Sequence, residues 1–230
     1  MLTSYTAVQH AISTLVRRSA LAPASREARE AVSRALDLMA GCAVLIFIFP
    51  LLLGIALAIY VLDGRPIFFV QQRVGRDGAI FPCMKFRSMA VDADVQLKNL
   101  LACSATAQAE WACDHKLRRD PRITPFGAFL RRSSFDELPQ IFNVLRGEMS
   151  LVGPRPIVKA EIRRYGTRFK HYCSVRPGIT GLWQVSGRND VSYRTRVAMD
   201  VVYAKKKSLR TDLWLILLTV PAVLFRRGAY

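Results

Sequence analysis

The chain has 230 residues, 51% of them hydrophobic, and its 34 Lys and Arg against 17 Asp and Glu give a formal net charge of +17. This length allows one or two compact units, and the charge predicts an anionic partner: nucleic acid, an acidic lipid surface or a phosphorylated substrate. Five cysteines without a CxxC pair indicate reduced thiols and a cytoplasmic body. No P-loop, dinucleotide fingerprint or HExxH motif occurs, and His10, His115 and His171 are scattered, so zinc or histidine-based catalysis finds no support.

The first prominent element is an apolar run at residues 38–62, which carries no charged side chain. As a helix it would be roughly 38 Å long, against about 30 Å for a bilayer's hydrocarbon core. Pro50 lies at its midpoint, where the missing N–H and the ring favour a bend. Basic residues flank both ends, and a straight span would separate them across the bilayer. We therefore predict a re-entrant helical hairpin bent at Pro50, with an ordinary spanning helix as the alternative.

This run divides the chain into three predicted regions. Residues 1–34 form a basic N-terminal arm, whose arginines, Arg34 among them, suit anionic headgroups. Residues 35–63 form the re-entrant membrane helix. Residues 64–230 form a cytoplasmic domain that ends in an interfacial helix. The expected fold class is mostly α with a small β element, in a monotopic membrane protein with interfacial amphipathic helices.

The start of the cytoplasmic domain predicts a hairpin and a helix. The segments "PIFFVQQRVG" and "AIFPCMKFRSM" indicate two short strands about "GRDG", and a helix is predicted from Val91 to about His115. Asp92 and Asp94 have the D-x-D spacing by which many nucleotide-sugar glycosyltransferases hold a divalent metal. Because these acids open a helix, exposed helix-start carboxylates are the simpler interpretation.

Two adjacent carboxylates, Asp136 and Glu137, precede the segment "LPQIFNVLRG". Pro139 favours the first turn of a helix, so Asp136 is expected at the N-cap and Glu137 at the first helical position. Plain helix capping would explain this pair, considered alone. Arg131 and Arg132 just upstream, with Arg155 soon after the helix, favour a phosphate site in which the carboxylates hold Mg²⁺ or one of them attacks phosphorus.

The last part of the chain predicts a helix at about 191–207, followed by a second apolar stretch at 213–225. Lys205, Lys206 and Lys207 between them suit an anionic leaflet. The apolar stretch is too short to span a bilayer, and an interfacial helix and a buried core helix explain it equally well.

Several long motifs in this order resemble one known family. They are the apolar run, "KFRSM" at 85–89, "DPRITPFGAFLRRSSFDELPQIFNVLRGEMSLVGPRP" at 120–156 and "RPGITGLWQVSGR" at 176–188. From about residue 30 to residue 230 the sequence resembles the bacterial polyprenyl-phosphate sugar-1-phosphate transferases, the monotopic phosphoglycosyl transferases. It looks most like the exopolysaccharide subgroup, which transfers galactose- or glucose-1-phosphate. Family members often carry Ser before the hairpin proline, where this chain has Phe49.

The resemblance implies roles for individual residues. Asp136 would be the nucleophile that attacks the sugar-linked phosphate of a UDP-hexose, expels UMP and forms a covalent intermediate, which undecaprenyl phosphate then attacks. Glu137 would assist, and both carboxylates are candidates for binding the Mg²⁺ cofactor. Further candidates for substrate contacts are Lys85, Arg87, Arg132, Arg155, Arg188 and Asp200.

Two other functions remain open at this point. One is a metal-dependent glycosyltransferase that uses Asp92 and Asp94, and the other is a non-enzymatic basic membrane adaptor. Because no nucleic-acid motif occurs, nucleic acid is not an expected partner. The expected partners are a UDP-hexose, undecaprenyl phosphate and an anionic bilayer, and the oligomeric state stays open, a homodimer included. The expected location is the bacterial inner membrane, with the catalytic domain on the cytoplasmic face.

Overall fold

The computed structural model describes residues 24–114, 117, 119–186 and 191–224. They are mostly helical, with two small two-stranded sheets, which confirms the predicted fold class of mostly α with a small β element. The chain forms two compact units. Of the described residues, a first unit takes in those up to Phe47, Val70–Cys83 and those from Gln140 onward, and a second unit takes in Ile48–Phe69 and those from Met84 to Pro139.

The described elements are short strands and helices of very different length. The helices are α1 (Ala24–Leu62), α2 (Ala93–Cys103), α3 (Ala105–Asp114), α4 (Pro125–Ser133), α5 (Gln140–Arg146), α6 (Ile162–Tyr165), α7 (Phe169–Cys173), α8 (Leu182–Ser186), α9 (Tyr193–Lys206) and α10 (Leu209–Leu224). The strands are β1 (Phe68–Val74), β2 (Ile80–Phe86), β3 (Ser150–Val152) and β4 (Gly178–Thr180).

Helix α1 contains the predicted membrane segment. Its stretch Glu30–Leu62 is, among the described residues, the one helix long and apolar enough to cross a membrane by length and composition. Only 17% of its most apolar window is buried, in contrast to the core helix of a soluble protein. Pro50 lies inside α1, and the residues before and after it are helical. The re-entrant course and the bend at Pro50 stay predictions, as does the division at residues 34 and 63.

The N-terminal part of α1 makes hydrogen bonds to other elements of the first unit. Arg34 Nη1 and Nη2 donate to Val144 O and Leu145 O at 2.6 and 2.9 Å, which places a positive charge at the C-terminal end of α5. Asp37 Oδ1 accepts hydrogen bonds from Ser150 Oγ and Leu151 N. Arg34 therefore stabilises the protein fold, in contrast to its predicted contact with headgroups, and residues 1–23 of the predicted arm lie outside the described residues.

The predicted hairpin is confirmed. β1 and β2 form one two-stranded sheet, and the connection between them contains a 3-10 turn at Arg76–Gly78. Asp77 and Gly78 have positive φ values of 55° and 77°, a conformation that Gly and Asp tolerate better than most residues. The sequence "GRDG" therefore suits this turn.

The prediction of one helix from Val91 to about His115 is wrong. Two helices, α2 and α3, occupy this stretch, and they are separated at Ser104. The backbone of Ser104 is extended, and its Oγ accepts a hydrogen bond from Ala107 N at 3.2 Å. Serine favours such a cap over a helix interior, because its hydroxyl satisfies a first-turn N–H. His115 lies outside the described residues.

Two of the sequence motifs meet in the parallel pair of β3 and β4 in the first unit, with Ser150 opposite Gly178 and Val152 opposite Thr180. A Cβ atom on Gly153 would lie 2.3 Å from Arg176 O, and one on Gly178 would lie 2.0 Å from Gly153 N. The glycines of "SLVGPRP" and "RPGITG" are thus required by the close approach of two backbones.

The two C-terminal helices are confirmed at close to their predicted places. Helix α10 begins at Leu209, four residues before the predicted start, and residue 225 lies outside the described residues. Leu215 is fully buried on one face, whereas Leu213 and Leu217 are 61% and 63% exposed. One face therefore packs on the core and the other is apolar and exposed, so the helix combines features of both interpretations.

Candidate active site

The two predicted carboxylates follow α4 in the second unit. Thr124 caps the N-terminus of α4, since its Oγ1 accepts a hydrogen bond from Gly127 N at 2.9 Å, and Pro125 occupies the first turn. The helix ends at Ser133, and Ser134 after it has a left-handed φ of 60° that stops the helix. Helix α4 was not predicted, although the "TP" dipeptide is a start signal for a helix.

The expected N-cap position of Asp136 is wrong. Asp136 and Glu137 lie in a 3-10 turn, Phe135–Glu137, and α5 begins only at Gln140. The left-handed residue before this turn leaves it packed against α4, not at the start of a longer helix. Phe129 of α4 contacts Phe135 edge to face, with ring centroids 6.1 Å apart, and this contact fixes the turn.

Lys85 at the end of β2 faces this pair of carboxylates. Its Nζ donates to Glu137 Oε1 at 2.5 Å and lies 3.9 Å from Asp136 Oδ2. The Lys85 and Glu137 side chains are 19% and 21% exposed, so the pair is partly shielded from water. The ammonium group therefore pairs closely with Glu137 and contacts Asp136 more loosely. The structure thus brings Lys85 beside both carboxylates, and its role toward a substrate stays a prediction.

Arg131 of α4 lies within the electrostatic influence of Asp136. Arg131 Nε donates to Ser88 Oγ at 2.8 Å. Burial lowers the pKa of its guanidinium, and the charges of Asp136 and Asp120 oppose that shift, so the group stays protonated. Arg132 is exposed and its Nε donates to Ala128 O on its own helix. Arg132 was proposed as a substrate contact from the family resemblance, and that role stays a prediction.

A buried ion pair between Asp120 and Arg122 lies close to Arg131. Asp120 makes a two-pronged salt bridge with Arg122, at 2.8 Å to Nε and 2.7 Å to Nη2. Burial raises the pKa of Asp120, but the hydrogen bonds and charge of Arg122 outweigh it and hold that pKa below its usual value. Arg122 also lies over the Trp111 ring, 5.3 Å from its centroid. Asp120 is thus fixed as an anion near Arg131.

Arg87 connects the site to the membrane helix. It is 5% exposed, and its Nη2 donates to Asp63 O and Gly64 O at 2.5 and 2.9 Å, just past the last turn of α1. Asp63 Oδ2 in turn accepts a hydrogen bond from Thr124 Oγ1, which ties this end of α1 to the start of α4. Arg87 was predicted as a substrate contact from the sequence, but its hydrogen bonds to the end of α1 become visible only in the folded structure.

The other predicted site residues are distributed differently. Arg155 and Asp200 belong to the first unit, and Arg188 lies outside the described residues. Asp92 and Asp94 are both exposed, and Asp92 Oδ1 accepts a hydrogen bond from Gln96 Nε2 at 2.9 Å. This supports the interpretation of Asp92 and Asp94 as surface acids at the start of α2.

Asp200 lies in a buried tyrosine cluster of the first unit. It is 2% exposed and its Oδ2 accepts a hydrogen bond from Tyr165 Oη at 2.7 Å. Burial raises the pKa of Asp200 to about 7, and the Tyr165 hydrogen bond and the charge of Arg196 only partly offset this. The Tyr165 ring meets the rings of Tyr172 and Tyr193 edge to face. Asp200 therefore has a clear structural role in this cluster.

We expect Asp200→Asn to become more stable than the wild type as the pH rises. The folded-state pKa of Asp200 is raised, so its contribution to stability is complete below the unfolded-state pKa near 4 and is lost up to about pH 7. Asparagine keeps an oxygen acceptor for Tyr165 and carries no charge to bury. The difference in melting temperature between the variant and the wild type should increase from pH 5 to pH 8, and a difference independent of pH would contradict the assignment.

Asp136 and Glu137 are the adjacent carboxylates of this site that could contribute oxygen ligands to Mg²⁺. No group of three or more His, Cys, Asp or Glu side chains able to hold a metal ion occurs in the described part of the chain. Mg²⁺ is commonly bound through one or two carboxylates, with waters and substrate phosphates in the remaining positions. Asp136 and Glu137 provide two such carboxylates, although Lys85 already contacts Glu137.

These features define a class of protein before any comparison is made. Carboxylates, an ammonium and guanidinium groups share one unit with the exposed apolar C-terminal part of α1, a combination typical of membrane-associated proteins that act on anionic molecules. The family model described as bacterial sugar transferase matches residues 28–226. The chain belongs to this family.

Curated relatives agree with that assignment. The undecaprenyl-phosphate galactose phosphotransferase of Salmonella typhimurium is 49% identical over 199 residues, which is 86% of this chain and 42% of that protein. The exopolysaccharide production protein ExoY of Rhizobium meliloti is 45% identical, over 86% of this chain and 87% of that protein. The UDP-glucose:undecaprenyl-phosphate glucose-1-phosphate transferase of Xanthomonas campestris is 41% identical, over 80% and 37%. The chain thus spans less than half of the first and third relatives.

Proposed function

We propose that this protein transfers a hexose-1-phosphate, galactose or glucose, from a UDP-sugar to undecaprenyl phosphate, at the first membrane step of exopolysaccharide assembly. The observation that carries the proposal is the position of Asp136, 3.9 Å from the Lys85 ammonium and within the field of Arg131. The names of the relatives support the lipid acceptor and the two hexoses. Membrane association follows from the exposed apolar surface of α1.

The proposed reaction has two displacement steps at phosphorus. An Asp136 carboxylate oxygen attacks the phosphorus next to the sugar, the bond from that phosphorus to the bridging oxygen breaks, and UMP leaves with the bridging oxygen. An oxygen of undecaprenyl phosphate then attacks the same phosphorus and releases the Asp136 carboxylate. The products are UMP and undecaprenyl-diphosphate-hexose, and the enzyme returns to its starting state.

The cations around Asp136 have defined parts in this proposal. Lys85 neutralises charge between Asp136 and Glu137, which allows an anionic diphosphate to approach the attacking oxygen. Arg131, held by its hydrogen bond to Ser88 Oγ, adds a guanidinium within the electrostatic influence of Asp136. Arg132, Arg155 and Arg188 remain proposed phosphate contacts, and Asp200 remains a proposed site residue as well as a structural one.

Mg²⁺ is the proposed cofactor, and Asp136 and Glu137 are the residues that would hold it. When bound, it would neutralise the charge of the diphosphate and so lower the barrier to attack at phosphorus. The proposed location is the bacterial inner membrane with the catalytic unit on the cytoplasmic face, where a soluble UDP-sugar and a lipid phosphate meet. An anionic bilayer is the proposed surface partner, and the homodimer stays a proposal.

Release of UMP by the purified protein tests the proposal. Wild-type protein in detergent with Mg²⁺ is incubated separately with UDP-galactose and UDP-glucose, with and without undecaprenyl phosphate. We expect UMP, a mass gain of one hexose phosphate on the protein before lipid is added, and loss of both signals with EDTA. Release of UDP instead would indicate a glycosyltransferase, and no turnover of either donor would support a non-enzymatic membrane adaptor.

A further inference from the structure

Arg87 combines deep burial with incomplete hydrogen bonding. Its side chain is 5% exposed, yet among the described residues its Nε and Nη1 atoms have no hydrogen-bond partner. Unpaired donors of a buried charged group are costly, and a guanidinium presents its donors as a fork that suits a phosphate. An anionic oxygen ligand would satisfy both nitrogens at once.

The third nitrogen fixes where this fork lies in the fold. Nη2 donates hydrogen bonds to Asp63 O and Gly64 O, so the guanidinium is held at the C-terminal end of α1. Arg87 N also donates to Ile67 O, which extends the pairing of the hairpin by one residue. Arg87 is two residues after Lys85, which contacts Glu137 and Asp136, and both the arginine and the lysine belong to the second unit.

The surface that leads to this guanidinium is apolar. In the last turns of α1, Leu57, Val61 and Leu62 are 61–70% exposed, and Phe68 and Phe69 beyond the helix are 40% and 50% exposed. An apolar surface beside a guanidinium with two donors unpaired among the described residues would suit a molecule with a hydrocarbon chain and a terminal phosphate. A sugar nucleotide carries no comparable apolar part.

We propose that Arg87 binds the phosphate of the polyprenyl-phosphate acceptor, whose chain lies along the exposed apolar side of the last turns of α1 and of Phe68 and Phe69. This assignment rests on the proposed function and distinguishes the acceptor phosphate from the donor diphosphate. The same contact couples the lipid to the fold, because the guanidinium that binds it also caps the membrane helix.

Binding measurements test the assignment without requiring turnover. Farnesyl phosphate, UDP-galactose, UDP-glucose and inorganic phosphate are titrated separately into wild type, Arg87→Lys, Arg87→Gln and the control Arg163→Gln, an exposed arginine in α6. We expect about a 10- to 100-fold weaker Kd for farnesyl phosphate in Arg87→Gln, since charge-assisted hydrogen bonds are lost. The affinity of Arg87→Gln for the UDP-sugars should equal that of the wild type, and Arg163→Gln should bind every ligand with the wild-type Kd. Binding of inorganic phosphate as tight as that of farnesyl phosphate, or a selective loss of UDP-sugar affinity, would overturn the proposal.

Turnover separates this inference from the proposed function. In the first half-reaction, without lipid, the Arg87 variants should release one equivalent of UMP, as the wild type does. In the second half-reaction they should need a higher concentration of undecaprenyl phosphate than the wild type. If Arg87→Gln does not fold, Arg87→Lys decides, because lysine keeps the charge near the helix end but lacks the fork. Absence of UMP release from the wild type counts against the proposed function, whereas the farnesyl phosphate titration still decides the role of Arg87.

Discussion

Asp136→Asn should abolish both UMP release and the mass gain of one hexose phosphate. The amide is nearly the same size as the carboxylate but is a very poor nucleophile, and loss of a catalytic nucleophile costs on the order of 10⁴- to 10⁶-fold in kcat. Asp136 is 9% exposed in a turn fixed by Phe135, so the exchange should leave the fold intact. The measurements are the initial rate of UMP formation and the intact mass of the protein after incubation with the donor.

The matched control is Asp94→Asn, which makes the same chemical change at an exposed position in α2 of the same unit. It should retain the wild-type rate, and a large loss there would favour the metal-dependent glycosyltransferase. If Asp136→Asn kept more than a tenth of the wild-type rate, Asp136 would not be the nucleophile. If the rate fell but the covalent hexose phosphate still formed, Asp136 would serve the second step instead.

The sequence was sufficient to predict the elements with strong local signals. The β1 and β2 hairpin has a glycine-rich turn between two alternating segments, and α9 and α10 have long helical patterns. The apolar run was identified because hydrophobic length alone distinguishes it. Asp136, Glu137 and Lys85 were identified as site residues, and the contacts of Lys85 bring these three together.

Other features depended on contacts distant in sequence. Ser134 adopts a left-handed conformation, which local pattern does not predict, and so Asp136 was wrongly placed at a helix N-cap. The choice between Arg131 and Arg132 depends on which side of α4 faces Ser88, and Ser88 is 43 residues away from Arg131 in the chain. The commitment of Arg87 to the end of α1 likewise joins residues that are 24 positions apart.

Gly127→Ala should both destabilise the protein and reduce its activity. Gly127 is in the first turn of α4, and a Cβ atom there would lie 2.1 Å from Ser88 O and 2.7 Å from Ser88 Cα. Both contacts are with backbone atoms, so α4 would have to move away from residues 88–90, with which Arg122 and Ile123 pair. Overpacking of this kind costs about 1–3 kcal/mol or more, and we expect the melting temperature to fall by about 3–10 °C.

In Gly127→Ala the loss of activity should be larger than the fraction of unfolded protein explains. Ser88 is the hydrogen-bond acceptor of Arg131, and the turn that contains Asp136 follows α4, so a shift of α4 should move both side chains. The rate of UMP release is therefore measured at a temperature where the variant is fully folded, and a decrease of about 10-fold or more is expected from misplacement alone. Gly54→Ala is the control, because a Cβ atom on Gly54 meets nothing within 4 Å. If Gly127→Ala matched this control in both melting temperature and rate, close contact between α4 and Ser88 would not be what positions Arg131 and Asp136.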